Sequence, residues 1–344
     1  MDQPVKKALY IGIYSSGTTS KMRADILHGL MPDWQFDVID TDLPKKSLCR
    51  IWQSIGFRYK RGPLISKVNK YVLANIQADK YDLVWVDKAI YLTARTTSLI
   101  RKKAKLLIHF TPDPAFTFHR SKLFYDSLPL YDYAITTKSF EISNYQRLLS
   151  REKVLYATQG YDHKLHRPIV AFNKKSGICF LGHYEKEREI IIRKFIDNGI
   201  PVKLAGIKWE NFAKQNAGNK LLTYLGQGVY GEEYAKVISS SYMSWGSVSK
   251  WIPEKHTTRT FEIPACGTAL ISERNSELAE FFNENEAIFY SSETELMNKV
   301  KYYLSNLPEL ETLSNLGHQR VVRDGRDYES IIKNILIQSG VIKG

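Results

Sequence analysis

Glu254 and Glu262 stand eight residues apart in Trp251-Ile-Pro-Glu-Lys-His-Thr-Thr-Arg-Thr-Phe-Glu-Ile-Pro-Ala-Cys-Gly267. Between them, Thr257, Thr258 and Arg259 sit where a helix would begin. Hydroxyls, a guanidinium and unpaired backbone N–H groups together suit a diphosphate. A carboxylate one turn further on suits a vicinal diol, because its two oxygens accept from both hydroxyls of a ribose. The same residues would also make a capping box, with Thr258 as the cap and Glu262 nearby, and both readings stand at this stage.

Other candidates lie after apolar runs. Gly12-Ile-Tyr-Ser-Ser-Gly-Thr-Thr-Ser20 follows the first run and precedes a helical pattern, so Ser16 and Gly17 could offer backbone N–H groups to an anion or to sugar oxygens. His109-Phe-Thr-Pro-Asp-Pro114 ends a strong apolar run, which places His109 and Asp113 where ligands of open α/β sheets are bound. Aspartate before proline is equally an ordinary turn former. Asp40-Thr-Asp42 could hold a metal on a diphosphate or be a solvated strand end. The first loop is not GxGxxG, which weakens a dinucleotide-dependent dehydrogenase reading, and the sequence has no GxxxxGK[ST], GxSxG, HExxH or CxxC, which argues against P-loop enzymes, α/β-hydrolases and zinc enzymes.

The elements that must position these residues alternate. Apolar runs at Ala8–Tyr14, Phe36–Ile39, Leu83–Val86, Leu106–Phe110 and Tyr133–Ile135 predict buried strands, and Lys21–Leu30 and Lys138–Leu149 predict helices between them. Residues 166–177 break the pattern and read as a linker. The alternation restarts with strands at Ile178–Leu181, Pro201–Ala205, Leu222–Leu225, Tyr242–Trp245 and Thr268–Ile271, a helix over Glu187–Asp197, and a mostly helical tail from Glu293 to about Gln338. Repeated βαβ units imply two α/β, Rossmann-like halves with parallel sheets, in keeping with 344 residues at about 150 per domain.

The net charge is +13. Residues 1–170 carry 27 Lys and Arg against 15 Asp and Glu, and the remainder carries 22 against 21. Lys45, Lys46, Arg50, Arg58, Lys60, Arg61, Lys67 and Lys70 follow one another with no acid between Asp42 and Asp79, and Ile51, Trp52, Ile55, Phe57 and Tyr59 are interleaved with them. Cations among apolar residues suit an interfacial helix on an anionic membrane. A solvated helical pair with its apolar face in the core would show the same composition. No nucleic-acid-binding signature accompanies the charge, so nucleic acid is not expected as a partner. Three scattered cysteines make neither a disulfide framework nor a zinc site, which points to a reducing cytoplasm. The N-terminus reads as a first strand rather than a signal peptide, and no stretch of about 18 apolar residues would span a membrane.

Arg259-Thr-Phe-Glu-Ile-Pro-Ala-Cys-Gly267 resembles the C-terminal signature of CgeB-like glycosyltransferases, relatives of the retaining GT-B group with two glutamates separated by seven residues. The resemblance continues in Leu270-Ile-Ser272, Glu277-Leu-Ala-Glu-Phe-Phe282 and Glu286–Leu296, and upstream in Cys179-Phe-Leu-Gly182 with Arg188, Tyr224-Leu-Gly226 and Tyr230-Gly-Glu-Glu-Tyr234. In the first half, Thr111–Pro114, Tyr131-Asp132 and Gln159-Gly-Tyr-Asp-His-Lys-Leu-His-Arg-Pro168 are similar to the same group.

The resemblance implies a GT-B fold: two Rossmann-like domains facing across a cleft, with a C-terminal crossover helix. The implied spans are an acceptor domain over 1–165, a linker over 166–177, a nucleotide-sugar domain over 178–322, and a helix over 323–344 packed back on the first domain. It implies that Glu262 holds the ribose, that Glu254 faces the sugar or its leaving group, and that Arg188 and Arg259 neutralise the diphosphate, with Lys208 or Lys203 behind them. Thr257, Thr258, Gly182, Ser16 and Gly17 would contact the donor, and His109 and Asp113 would orient hydroxyls. No metal or other cofactor is called for.

The expected activity is retaining hexosyl transfer from a nucleotide-sugar to a polysaccharide, glycolipid or other cell-envelope acceptor, carbohydrate or lipid-linked. It would take place in the cytoplasm or at the inner face of the membrane, contacted through residues 45–70. A sugar-nucleotide epimerase and a non-catalytic structural protein with the same fold are the alternatives.

Overall fold

The computed structural model describes residues 5–88, 90–117 and 119–343. Residues 1–4 and 344, which belong to the expected first and last spans, lie outside it. The chain forms two compact units, residues up to Thr158 together with Glu329 onward, and Gln159–Tyr328. The stretch 166–177 thus falls inside the second unit.

In the first unit the elements are β1 (Lys7–Gly12), α1 (Thr19–Gly29), β2 (Gln35–Asp40), α2 (Leu43–Lys46), α3 (Arg50–Tyr59), α4 (Pro63–Ala74), β3 (Tyr81–Asp87), α5 (Ala94–Lys103), β4 (Ala104–Thr111), α6 (Lys122–Ser127), β5 (Tyr133–Thr136), α7 (Ile142–Gln146) and β6 (Val154–Tyr156). The sheet order is β2-β1-β3-β4-β5-β6, with every pair parallel. Both faces of β1, β3 and β4 are covered, which is why these strands read as unbroken apolar runs.

The second unit repeats the plan. It contains β7 (Ile178–Leu181), α8 (Lys186–Asp197), β8 (Val202–Ala205), α9 (Glu210–Gln215), β9 (Leu222–Tyr224), α10 (Gly231–Ser239), β10 (Met243–Trp245), α11 (Arg259–Ala265), β11 (Ala269–Glu273), α12 (Ser276–Phe281), β12 (Ile288–Tyr290), α13 (Glu293–Ser305) and α14 (Leu307–Arg323). Its parallel order is β12-β11-β10-β7-β8-β9. The last helix, α15 (Tyr328–Gln338), returns to the first unit. Its Ile331, Ile332, Ile335 and Leu336 join Tyr10, Leu27, Trp85 and Ile135 in one core cluster. Burial of each such aliphatic side chain contributes roughly 1.5–3 kcal/mol, enough to make α15 integral to that unit.

The basic stretch forms a helical pair, but only half of it is buried. Leu64, Ile65, Val68 and Val72 of α4 face the core, whereas Ile51, Trp52, Phe57 and Tyr59 of α3 remain exposed. Gly56 is the seat of the pair, because a Cβ there would lie 2.5 Å from the Leu64 side chain. No helix among the described residues is long and apolar enough to cross a membrane.

Candidate functional site

In the second unit, the loops at the carboxyl ends of β7 and β8 are locked together. Gly182 N–H donates to Ala205 O, Tyr184 N–H to Ile207 O, and the Trp209 indole to Gly182 O. Gly206 adopts φ +150°, and a Cβ on it would come within 1.9 Å of Gly182 O, so only glycine permits this approach. Lys208, exposed and left-handed at φ 70°, extends from the second loop. Lys203 is spent elsewhere, donating to Ser240 O and Ser240 Oγ.

The first of these loops delivers a buried guanidinium. Arg188, 2% exposed on the first turn of α8, bonds His183 O at 3.0 Å and pairs with Glu185 at 3.1 Å, while its Nε reaches Ser247 Oγ at 3.4 Å. The His183 ring lies 2.8 Å from the same Glu185 carboxylate. Burial lowers the Arg188 guanidinium to about 10; Glu185 and Glu254 act against that shift, and Arg259 adds to it. Burial likewise lowers His183, reinforced by the charges of Arg188 and Arg259, so this imidazole is neutral at pH 7. Arg188 and Arg259 therefore act on one another as like charges, a pairing that a bound dianion relieves.

α11 supplies the remainder. It begins at Arg259, as the sequence suggests, but Thr258 makes no side-chain capping bond, so the capping-box reading does not describe this turn. Arg259 Nε and Thr257 Oγ1 are buried without a hydrogen-bond partner. Such groups are costly to leave unmade, and both could donate to phosphate oxygens. Glu262, one turn from Arg259 and on the same helix face, accepts from Tyr234 Oη at 2.7 Å and lies 3.9 Å from His166 Nε2. His166 Nδ1 accepts from Asp162 N–H, so the proton sits on Nε2 and faces the carboxylate. Burial holds the Tyr234 hydroxyl well above its usual pKa, keeping it a donor. Glu254 lies in the polar loop leading to α11 and reaches the group electrostatically, through Arg188.

One further contact fixes that loop. His256, 3% exposed, lies 2.7 Å from Glu277 through Nδ1 and accepts from Gln159 N–H through Nε2 at 3.2 Å. Nδ1 is therefore the protonated nitrogen, and the ring ties the α11 approach to α12 and to the start of the unit.

The remaining candidates belong to the first unit. Ser16 and Gly17 form an exposed turn ahead of α1, which Thr18 caps by accepting from Lys21 N–H. Asp40 accepts from the N–H groups of Tyr14 and Asp42, and Asp42 pairs with Lys45, so the Asp40–Asp42 pair serves the local turn. No group of three or more His, Cys, Asp or Glu among the described residues could hold a metal. His109 is 1% exposed and packs against Phe124 and Tyr131. Burial lowers it to about 3, so it is neutral at pH 7 and available as a hydrogen-bonding group rather than as an acid. Asp113 pairs with Lys88 at 2.7 Å; burial raises its pKa, but Lys88, together with His119 and Lys138, leaves it lowered. Sequence reasoning passed over His183, Glu185, Ser247, Tyr234 and His166 as functional groups. The signal for three of them was position: His183 follows the Gly182 loop, His166 lies in the Gln159–Pro168 motif, and Tyr234 closes the Tyr230–Tyr234 motif.

Comparison with known proteins agrees with this architecture. Residues 187–337 match a family model described as glycosyl transferase-like. No curated protein matches by sequence. Sucrose-phosphate synthase from Thermosynechococcus elongatus superposes with a TM-score of 0.69 at 14% identity, covering 96% of this chain and 97% of that one. HepE from Anabaena, solved with UDP and glucose, gives 0.64 at 12% identity over 98% and 100% of the two chains. A UDP-N-acetylglucosamine 2-epimerase gives 0.56 at 10% identity over 99% and 98%.

The protein has the GT-B fold, two Rossmann-like units each built on a six-stranded parallel sheet. With the family match, the fold supports a glycosyltransferase.

Proposed function

We propose that the chain is a retaining glycosyltransferase that binds a nucleotide-sugar on its second unit and an acceptor on its first. The observation that carries this reading is the unpartnered, buried Arg259 Nε beside the buried Arg188 guanidinium, with Glu262 held one turn away by Tyr234. Arg188 and Arg259 would take the diphosphate, with Thr257, Thr258 and Gly182 lining it and Lys208 at the rim. Glu262 would accept from the ribose hydroxyls, and Glu254 would face the sugar. Ser16 and Gly17 are proposed as donor contacts from the first unit. UDP-sugars are the first donors to test, because HepE is solved with UDP and UDP-glucose.

The reaction follows from charge. The bond from the anomeric carbon to the β-phosphate oxygen breaks, and its electron pair leaves with the nucleoside diphosphate. The acceptor oxygen bonds to the same face of that carbon, and its proton passes to the departing phosphate oxygen. One donor and one acceptor give one glycoside and one nucleoside diphosphate. Fixed cations aimed at the growing phosphate charge are worth several kcal/mol in such a step. His109 and Asp113 would orient acceptor hydroxyls.

Further features of this reading are a CgeB-like relationship, hexosyl transfer to a cell-envelope acceptor, and residence in the cytoplasm or at the inner face of the membrane through residues 45–70. The exposed Ile51, Trp52, Phe57 and Tyr59 among cations support the membrane contact. A thermal-shift screen with UDP-, GDP- and dTDP-sugars tests the donor assignment, since a ligand at a hundred times its Kd stabilises by about 2.7 kcal/mol. No shift with any of them, or a shift unchanged in Arg259→Ala, would sink it. The epimerase of the same fold motivates a second reading, which incubation of the donor without acceptor tests: a C2-epimerised nucleotide-sugar would replace transfer by epimerisation.

A further inference from the structure

The first unit contains a cavity of about 230 Å³. It opens at the carboxyl ends of β3 and β4 and is bounded by the loop after β1, by α2 and α3, and by α4 beneath. Most of its wall is apolar, including Ile11, Val68, Val86, Leu92 and Phe124. Most of the polar groups stand at or just after the strand ends, Asp87 and Thr111 among them, while Lys45 of α2 also lines the wall. His109 lines the cavity with Nδ1 buried and unpartnered, and the Lys88–Asp113 pair and His119 stand beside it. Lys88 is held in a left-handed conformation, φ 64°, with its N–H on Phe110 O. Strain of this kind collects at ligand-binding positions.

This division of polarity selects among acceptors. A bare sugar presents hydroxyls on every side, and an apolar wall would leave those turned towards it without partners. A molecule with an apolar body and a hydroxyl-bearing head matches both ends, the body among the aliphatic and aromatic side chains and the head against His109, Asp113 and Lys88. The cavity wall also meets the exposed part of α3: Phe57 lines the cavity and is 49% exposed, with its ring 6.1 Å from that of His119.

We propose that this cavity receives the apolar aglycone, an alkyl chain or an aryl ring, of a hydroxyl-bearing acceptor, and that the acceptor is not an unsubstituted carbohydrate chain. The proposal names the acceptor class within the glycosyltransferase reading and rests on it for the word acceptor; the binding itself is measurable without turnover.

The test is calorimetric titration of the full chain with n-octyl β-glucoside below its micelle-forming concentration, with phenyl β-glucoside, and with glucose. At least one glucoside binds saturably and ten or more times tighter than glucose; the tighter of the two assigns an alkyl or an aryl aglycone. Ala115→Leu, which fills the cavity, and Phe57→Ala, which opens its mouth, each weaken that binding tenfold or more. Should Ala115→Leu not fold, Phe57→Ala decides, because its site is half exposed. Binding no tighter than glucose, or tight binding unchanged in the folded variants, overturns the proposal. UDP-glucose titrated into the same samples separates the two readings: donor bound without glucoside preference defeats the acceptor class alone, and glucoside preference without any nucleotide binding defeats the glycosyltransferase reading alone.

Discussion

Glu262→Ala is the substitution whose consequences are most closely defined by geometry. The carboxylate sits one turn from Arg259 and accepts from Tyr234 Oη at 2.7 Å. If it takes both ribose hydroxyls, two charge-assisted bonds form on donor binding. Each contributes about 1.5–3 kcal/mol net, so their loss should cost at least about 3 kcal/mol, or roughly a hundredfold in Kd at 1.4 kcal/mol per tenfold. The free protein is affected separately. Removing the carboxylate leaves the buried Tyr234 hydroxyl without its acceptor, at about 1–3 kcal/mol of stability, and Tyr234→Phe in the same chain should recover much of that without restoring affinity. The assay is calorimetric titration with UDP and 2′-deoxy-UDP on the wild type and Glu262→Ala. The wild type should discriminate against the deoxy nucleotide tenfold or more, and the variant should not discriminate. Equal discrimination by both proteins would refute the ribose assignment, whatever the change in absolute affinity.

Further outcomes are expected. Arg259→Ala should lower kcat for transfer by 100-fold or more with little change in melting temperature, read by nucleoside diphosphate release; Arg188→Ala should also lower the melting temperature, because it removes the cation beside the buried Glu185 carboxylate and leaves it only the His183 ring. Gly206→Ala should destabilise the second unit by about 2 kcal/mol or more and weaken donor binding, seen together in urea melts and titration, since the new methyl meets Gly182 O. His109, lowered by burial to about 3, binds its proton less readily folded than unfolded. The stability this contributes is complete above the unfolded pKa near 6.5 and is lost at about 1.4 kcal/mol per pH unit as pH falls towards 3; urea melts at pH 7 and 5 should show a smaller loss in His109→Leu than in the wild type. Trp52→Ala should reduce flotation with anionic vesicles, and high salt should reduce it for both proteins.

The parallel sheets were legible because doubly covered strands such as Leu83–Val86 and Ile178–Leu181 are continuous apolar runs between amphipathic helices. β6 and β12, each three residues long at a sheet edge, were not read, although β9, equally short and also at an edge, was read from the run Leu222–Leu225. The start of α11 at Arg259 could be read from the threonines and the charge before it, whereas the bond from Tyr234 to Glu262 joins residues 28 apart in sequence and exists only through packing of α10 on α11. Likewise, a strand's last residues read alike whether they project into a crevice or a core. That His109 lies among Phe124 and Tyr131 depends on where α6 and the loop before β5 settle, which no local pattern specifies. The face of α3 is the converse case: its apolar residues suggested either a core or an interface, and Gly56 against Leu64 decides which side turns inward.

The central claim, retaining transfer from a nucleotide-sugar held by Arg188, Arg259 and Glu262, is tested most directly by proton NMR of the reaction. UDP-glucose and the better-bound glucoside, incubated with the protein, should give UDP and a new glycosidic anomeric signal of the same α-configuration as the donor, with Arg259→Ala at least 100-fold slower. A β-configured product, or the donor sugar returned epimerised with no glycoside formed, would contradict it.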